Sequence, residues 1–385
     1  MPGFSVRFFA AALLAGLAAS PAPAQDTVVH RLPVVTVTRD IGRSSLELPF
    51  AISQARPDSA RPGQLHTLLD QTLFGLPGVT VANRNNPSQD PRISIRGFGA
   101  RSPFGVRSIR ILRDGMPLTL PDGQTPVDYL DLESVGRVEA IRGTASALYG
   151  NASGGVIDIR SGPPPSAPFA VQARSWLGTF DRQPWRGTYG SQRFVGSVGG
   201  TVGATWYQAN VGRTTSDNYR EYTRQELTNA YARTGLSVGG TSIKLQALVL
   251  DMPVAENPGA LTRAQFERDP RLADSAQIRK RARKAVQQVQ VGVTASRPIG
   301  SRSAGELTAQ LYGGTRDLFN PLAFAVVDVD RRQYGGGARA TIPLGWGVRH
   351  RLTLGVDGAV QNDLRLNWAN CNAVLTPTAS CPALP

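Results

Sequence analysis

The feature that most limits what this chain can become is a series of alternating segments after residue 168. Ile243, Leu245, Ala247 and Val249 alternate with Ser242, Lys244 and Gln246. Val289, Val291, Val293 and Ala295 alternate in the same way with Gln288, Gln290, Gly292 and Thr294. A period of two sends successive side chains to opposite faces of a strand. Nine candidate strands begin near Phe169, Arg186, Thr201, Glu226, Thr241, Ala285, Glu306, Arg332 and His350. Their connections differ in length. Gly199-Gly200, Gly239-Gly240, Arg297–Gly305 and Pro343–Arg349 are short, whereas Arg213–Gln225, Asp251–Lys284 and Arg316–Arg331 are longer. Short turns at one end and long loops at the other are the arrangement of a membrane-spanning antiparallel barrel. A soluble antiparallel sandwich is the alternative.

The N-terminus bears on that choice. Met1–Ala24 has one basic residue, Arg7, then the apolar run Phe8–Ala19 and Ala22-Pro23-Ala24 before Gln25. This reads as a cleaved signal peptide, too short in its apolar part to span a bilayer. The formal charge of +14 suggests phosphates, anionic ligands or a membrane surface as partners. Export removes cytosolic nucleic-acid roles. The basic run Arg279–Lys284 could contact lipopolysaccharide phosphates or an anionic ligand, or stand as a solvated loop. Cys371 and Cys381 could close a loop disulfide in an oxidising compartment, with two free thiols as the alternative. His30, His66 and His350 have no metal-ligand spacing. No cofactor, metal or catalytic constellation is expected.

Between these ends lie an arm and a small domain. Gln25–Asp40 carries the β-prone segment Leu32-Pro33-Val34-Val35-Thr36-Val37-Thr38. Such a segment can add to the sheet edge of another protein, or it can be the first strand of the next domain. Gln64–Leu73 has helical spacing. Val79–Val81, Arg92–Arg96 and Arg107–Leu112 read as strands, with turns at Asp114-Gly115 and Pro121–Thr125. Tyr129–Val135 reads as a short helix or turn. In Leu132–Gly162 two strands, Val138–Ile141 and Val156–Ile159, flank a segment with Gly143, Gly150, Gly154 and Gly155. No helix with Lys-Ser/Thr follows those glycines, which argues for reversal and close packing over phosphate binding.

Five motifs then occur in order: Leu76-Pro77-Gly78-Val79, Ile93–Gly99, Leu112–Pro117, Val138–Gly143, and Ala147–Gly150 through Gly154–Ile157. Together they resemble the plug domain of TonB-dependent outer-membrane receptors. The resemblance implies a mixed fold, a small α+β plug followed by antiparallel transmembrane β-barrel strands. It divides the chain into a signal peptide (1–24), a periplasmic arm with a TonB box (25–40), a plug (41–163) and a partial barrel (168–385). It implies that Leu32–Thr38 is the strand offered to TonB. It gives Arg96 and Arg142 the role of pairing with acids on the barrel wall, where guanidinium forks suit buried carboxylates. A solvated strand-end charge is the alternative for each. Arg101, Arg107 and Gln124 become candidates for substrate contact above the plug, and arginines would favour an anionic chelate. Asn257–Thr262 with Gln265-Phe266 is similar to a loop in ferric-citrate-type and related siderophore receptors.

The expected function is uptake of a scarce solute, a ferric siderophore or ferric citrate first, with cobalamin or another solute as the alternative. The partners would be TonB, the ferric chelate, the outer membrane and lipopolysaccharide. No nucleic acid is expected, and the protein would be a monomer. A plugged transporter has about 22 strands, and an eight-stranded barrel has room only for side chains. Nine strands therefore suggest a fragment or truncated gene. A non-functional product and a ligand-sensing signalling receptor are the rivals from other classes.

Overall fold

The computed structural model describes residues 37–38, 43–44, 51–57, 69–82, 86–102, 105–127, 130, 132–143, 146–179, 190–300, 305–344 and 350–371. Residues 1–47 and 48–385 form separate compact units. In the first, β1 (Val37–Thr38) pairs antiparallel with β2 (Arg43–Ser44). The signal peptide and Leu32–Thr36 lie outside the described residues.

The second unit opens with the small domain. Its five-stranded sheet has the order β3 (Ala51–Ala55), β8 (Val135–Arg142), β9 (Gly155–Ser161), β6 (Ile109–Arg113) and β7 (Met116–Pro117). Only β6 and β9 run parallel. A separate pair joins β4 (Val79–Ala82) to β5 (Arg92–Ile95). β8 and β9 are buried on both faces: Val138, Ala140, Ile157 and Ile159 on one, and Ile141 and Val156 with the ion-paired Glu139 and Asp158 on the other. That is the pattern of strands covered on both sides. Between them the chain makes a short helix, Ser146–Tyr149, within the glycine-rich segment. Gly155 shows why glycine ends that turn. Its φ is +122°, and a Cβ there would lie 2.4 Å from the Ile141 carbonyl oxygen. Residues 132–135 form a turn, and the strand Val135–Arg142 begins three residues before the expected Val138.

Nine strands then pair consecutively and antiparallel in one open sheet. They are β10 (Ala170–Thr179), β11 (Gly190–Val202), β12 (Thr205–Ser216), β13 (Gln225–Val238), β14 (Thr241–Glu256), β15 (Arg283–Ile299), β16 (Gly305–Pro321), β17 (Ala325–Pro343) and β18 (Arg351–Ala369). The alternation resolves into two faces. Leu227, Asn229, Tyr231, Gln246, Leu248, Leu250, Val286, Gln288 and Gln290 are buried toward the small domain. Several of the apolar ones share one core with it. Their neighbours point away. Ala209, Ala232, Ala247, Val291 and Gly313 form one lateral row. Val211, Ala230, Val249 and Val289 lie on one side of it, and Tyr207, Thr234, Leu245, Val293 and Leu311 on the other. Toward the long-loop end the outward row turns polar, with Arg213, Thr228, Asp251, Gln287 and Asp317. An apolar band bounded by a polar row is what a hydrocarbon layer requires of a strand wall. The apolar groove lined by Tyr207, Ala232, Leu245, Val291 and Leu311 belongs to this outward face.

Strand lengths depart from the sequence reading. β16 has 17 residues, and at about 3.4 Å per residue it outruns a hydrocarbon core of about 30 Å even when tilted. Most of the expected Arg316–Arg331 loop is therefore ladder, and only Leu322-Ala323-Phe324 joins β16 to β17. Gly199-Gly200 likewise lies inside β11, and the turn falls at Gly203-Ala204. Backbone pairing needs no apolar side chains, so polar segments extend the strands beyond the band. The long connection 257–282 carries two short helices. Thr262 and Gln265 close a capping box on the first, and Asp274 caps the second.

Candidate functional site: the seat of the small domain in the wall

The best-furnished contact between the small domain and the wall centres on Asp114. Arg113 faces Met116 across the two-residue turn Asp114-Gly115. Both turn residues have positive φ, +49° and +90°. This is the Asp-Gly geometry of a type I′ hairpin. The turn directs the Asp114 carboxylate inward. It accepts from Ser161 N at 3.0 Å and Ser161 Oγ at 2.5 Å, both in β9. From the wall, the Tyr231 hydroxyl donates to it at 2.6 Å. Arg113 Nε stands 4.0 Å away and Arg233 Nη1 3.9 Å away. Lys244 donates to the Asp114 carbonyl, and Arg233 donates to the carbonyl of Gly162. Arg113 also lies 4.4 Å over the Tyr231 ring. Burial alone would raise the Asp114 carboxyl. The positive charges of Arg113, Lys244 and Arg233, with the Ser161 hydrogen bond, outweigh it and hold the group well below the usual carboxylate range.

Other contacts repeat the same polarity. Asp90 pairs with the buried wall residue Lys284 at 3.0 Å. Close by, Asn86 Nδ2 donates to Asn257 Oδ1 at 3.0 Å. Glu133 meets Arg174 at 3.3 Å and Arg193 at 3.7 Å. Asp122 meets Arg331 at 3.8 Å, and Arg331 is also paired with Asp363 at 2.6 Å. In each pair the small domain supplies the acid and the wall supplies the base. Arg110 with Asp357, at 3.9 Å, runs the other way. Met116 adds an apolar peg opposite Gly292, where a Cβ would come within 2.6 Å of its sulfur. This arrangement fixes one body inside another. Among the described residues no group of His, Cys, Asp and Glu could hold a metal ion.

Residues 46–156 match the family model described as the TonB-dependent receptor plug domain. The small domain is similar to the plug of TonB-dependent receptors. The whole plug-and-wall fold is that of a TonB-dependent receptor, as solved structures show. The ferric citrate transporter FecA in its unliganded form aligns with a TM-score of 0.73 at 16% identity, covering 88% of this chain and 51% of that one. A variant of the ferric enterobactin receptor PfeA of Pseudomonas aeruginosa, in complex with enterobactin, gives 0.57 at 16%, covering 80% and 49%. The copper transporter OprC gives 0.60 at 18%, covering 82% and 46%. The chain spans about half the length of the solved structures it matches.

The expected site residues are dispersed. The proposed TonB strand Leu32–Thr38 is described only at Val37 and Thr38, where Val37 pairs with Ser44. Arg96 is exposed, with φ +50°, and its backbone N–H donates to the Gly78 carbonyl at 2.9 Å. Arg142 is buried, and its hydrogen-bond partners among the described residues lie in the plug. It donates to the Pro77 carbonyl and, at 2.5 Å, to Ser53 Oγ, both inside the plug. Among the described residues the plug-to-wall ion pairs are made chiefly by plug carboxylates on wall cations. Arg107 and Gln124 do meet at Asp122. Arg107 Nη1 donates to its carbonyl at 2.9 Å, and the Gln124 N–H donates to its carboxylate at 2.9 Å. Arg101 lies exposed outside that group. Cys371 is disulfide-bonded, and Cys381 lies outside the described residues. The basic run is divided. Lys280 donates to the Asn370 carbonyl, Arg283 lies over Phe319, and Lys284 faces the plug.

Asp114, Tyr231, Arg233, Lys244, Asp90 and Lys284 were not among the expected site residues. One signal was available. Only three of the chain's 42 basic residues are lysines. Each of them meets the plug or a loop: Lys244 at Asp114, Lys280 at Asn370 and Lys284 at Asp90.

Proposed function

We propose that the protein works as a TonB-dependent outer-membrane receptor that takes up a scarce solute, with a ferric chelate as the leading candidate. The observation that carries this reading is a plug seated by buried ion pairs inside a strand wall whose outward face is an apolar band. Export through the signal peptide ending at Ala24 would deliver the chain to the outer membrane, with the 257–282 loop outside. Two similar structures, a ferric citrate transporter and a ferric enterobactin receptor, favour an iron chelate. Arg101, Arg107 and Gln124, on the plug turns, would meet the substrate. Leu32–Thr38 would add as a strand to TonB, whose pull supplies the work of moving the plug.

The test is deletion of Pro33–Thr38 in cells expressing the protein, followed by growth on a panel of iron chelates and by direct binding of the chelate that supports growth. Uptake is lost and binding is kept if the reading is right. Undiminished uptake overturns it.

A further inference from the structure

The long connection 257–282 has order without a core. Its two helices, Arg263–Arg268 and Ser275–Arg279, are short, and neither buries a residue. Phe266 is 57% exposed and Ile278 42%. Helices this short do not hold themselves in water, and apolar burial does not hold these. Polar contacts to neighbouring parts of the chain do.

The chief contact is Arg220, in the connection between β12 and β13. Its Nη1 donates to the Gly259 carbonyl at 2.9 Å. Its Nη2 donates to the carbonyls of Leu272 at 2.8 Å and Pro258 at 3.2 Å, and its Nε to Leu272 at 3.2 Å. One guanidinium thus gathers the chain before the first helix and the chain after it. The neighbouring Glu221 N–H donates to the Arg271 carbonyl at 2.7 Å, and the Asp274 N–H to the Pro258 carbonyl at 2.8 Å. Gly259, with φ +68°, permits the close approach: a Cβ there would come within 2.6 Å of the Gln277 side chain. Two further ties fix the ends. Asn257 Oδ1 accepts from Asn86 of the plug and from the Gly259 N–H, both at 3.0 Å. Asn370 Nδ2 donates to the carbonyls of Lys280 at 2.8 Å and Leu322 at 2.9 Å. The Arg220 acceptors are all carbonyls, so the clamp depends on a planar fork of donors that a lysine ammonium does not provide.

We propose that Arg220 is a positioning residue for substrate capture. It sets the segment 258–272 in place before substrate arrives, so that the segment serves as a fixed rim of the outer mouth and not as a lid that orders on binding. A rim ordered in advance subtracts nothing from affinity, whereas a segment that must first be ordered weakens it. This rests on the uptake function proposed above.

The first test uses outer membranes of cells expressing the protein, with no iron chelate present. Trypsin is expected to cut at Arg263, Arg268 and Arg271 at least tenfold faster in Arg220→Ala and in Arg220→Lys than in the wild type, with the melting temperature of the wall unchanged. An unchanged rate in Arg220→Ala overturns the clamp. Wild-type protection in Arg220→Lys would mean that charge alone suffices, and overturns it as well. The second test separates a rim from a lid. Radioiron uptake is measured with the panel chelate that supports growth, ferric citrate first. In Arg220→Lys the half-saturating concentration is expected to rise at least fivefold with the maximal rate unchanged. A lower or unchanged half-saturating concentration overturns the positioning role. If deletion of Pro33–Thr38 leaves uptake intact, the functional proposal has failed, and the trypsin result still decides the clamp. If the deletion abolishes uptake but Arg220→Lys moves neither readout, only the Arg220 proposal has failed.

Discussion

The turn at Asp114 and the strand at Ser53 belong to one five-stranded sheet but are attached in opposite ways. At Asp114 a buried carboxylate meets cations from its own strand and from two wall strands. At Ser53 a buried cation meets two neutral oxygens, and nothing described there touches the wall. A buried charge with well-placed counter-charges is costly to break, because each partner is then left desolvated. A buried cation that loses a neutral acceptor is left unsatisfied as well, so Ser53 and Pro77 hold Arg142 inside the plug. The contrast separates a contact that seats the plug on the wall from one that ties the plug to itself, within a domain of little more than a hundred matched residues.

The largest expected effect comes from breaking the seat on the wall. Asp114→Ala leaves Arg113, Arg233 and Lys244 without their shared anion and should destabilise the plug by about 3–5 kcal/mol. Plug proteolysis in the intact protein would report it. Lys284→Ala strands Asp90 at a second, more peripheral attachment, and a loss of about 1.5–3 kcal/mol is expected in the same assay. Tyr231→Phe removes one donor from a carboxylate that keeps its others, so about 1.5 kcal/mol should be lost. Arg263→Ala removes a pair with Glu267 that is 91% and 60% exposed, and no measurable change in melting temperature is expected. A larger effect at Arg263 than at Lys284 would break the comparison.

The pH dependence follows from the same carboxylate. The folded-state value of Asp114 is depressed. Its stabilisation is therefore fully present above the ordinary aspartate value of about 3.9 and is lost as pH falls through the lower folded value. Plug proteolysis should be flat in this respect from roughly pH 8 to 5 and should rise only in stronger acid. Asp114→Asn should abolish that acid-induced rise.

Much of the wall was legible because alternation is a local signal. Ile243–Val249 and Val289–Ala295 carry their face assignment in their own residues. The strand ends were not legible, because Asp317 and Asp330 pair through backbone groups that their side chains do not announce. β3 was missed for a related reason. Ala51–Ala55 reads AISQA, with one β-branched residue, and becomes a strand only because β8 offers it an edge. In the site, Arg142 meets Ser53 and the Pro77 carbonyl among the described residues. Its acceptors, Ser53 and Pro77, are neutral and distant in sequence, and no charge pattern points to them. The Asp114 seat joins residues 117 and 130 positions apart, which no local pattern records. The rarity of lysine was the one sequence signal that could have pointed there.

The most direct test probes the two contacts separately. Thiols at Ile52→Cys in β3 and at Met116→Cys, the peg against Gly292, can be labelled in cells with a small maleimide. Reactivity is measured with and without Tyr231→Phe. The account requires the rate at residue 116, 2% exposed, to rise about tenfold in the Tyr231→Phe background while residue 52 keeps its rate. Equal rises at both positions, or none at residue 116, would contradict it.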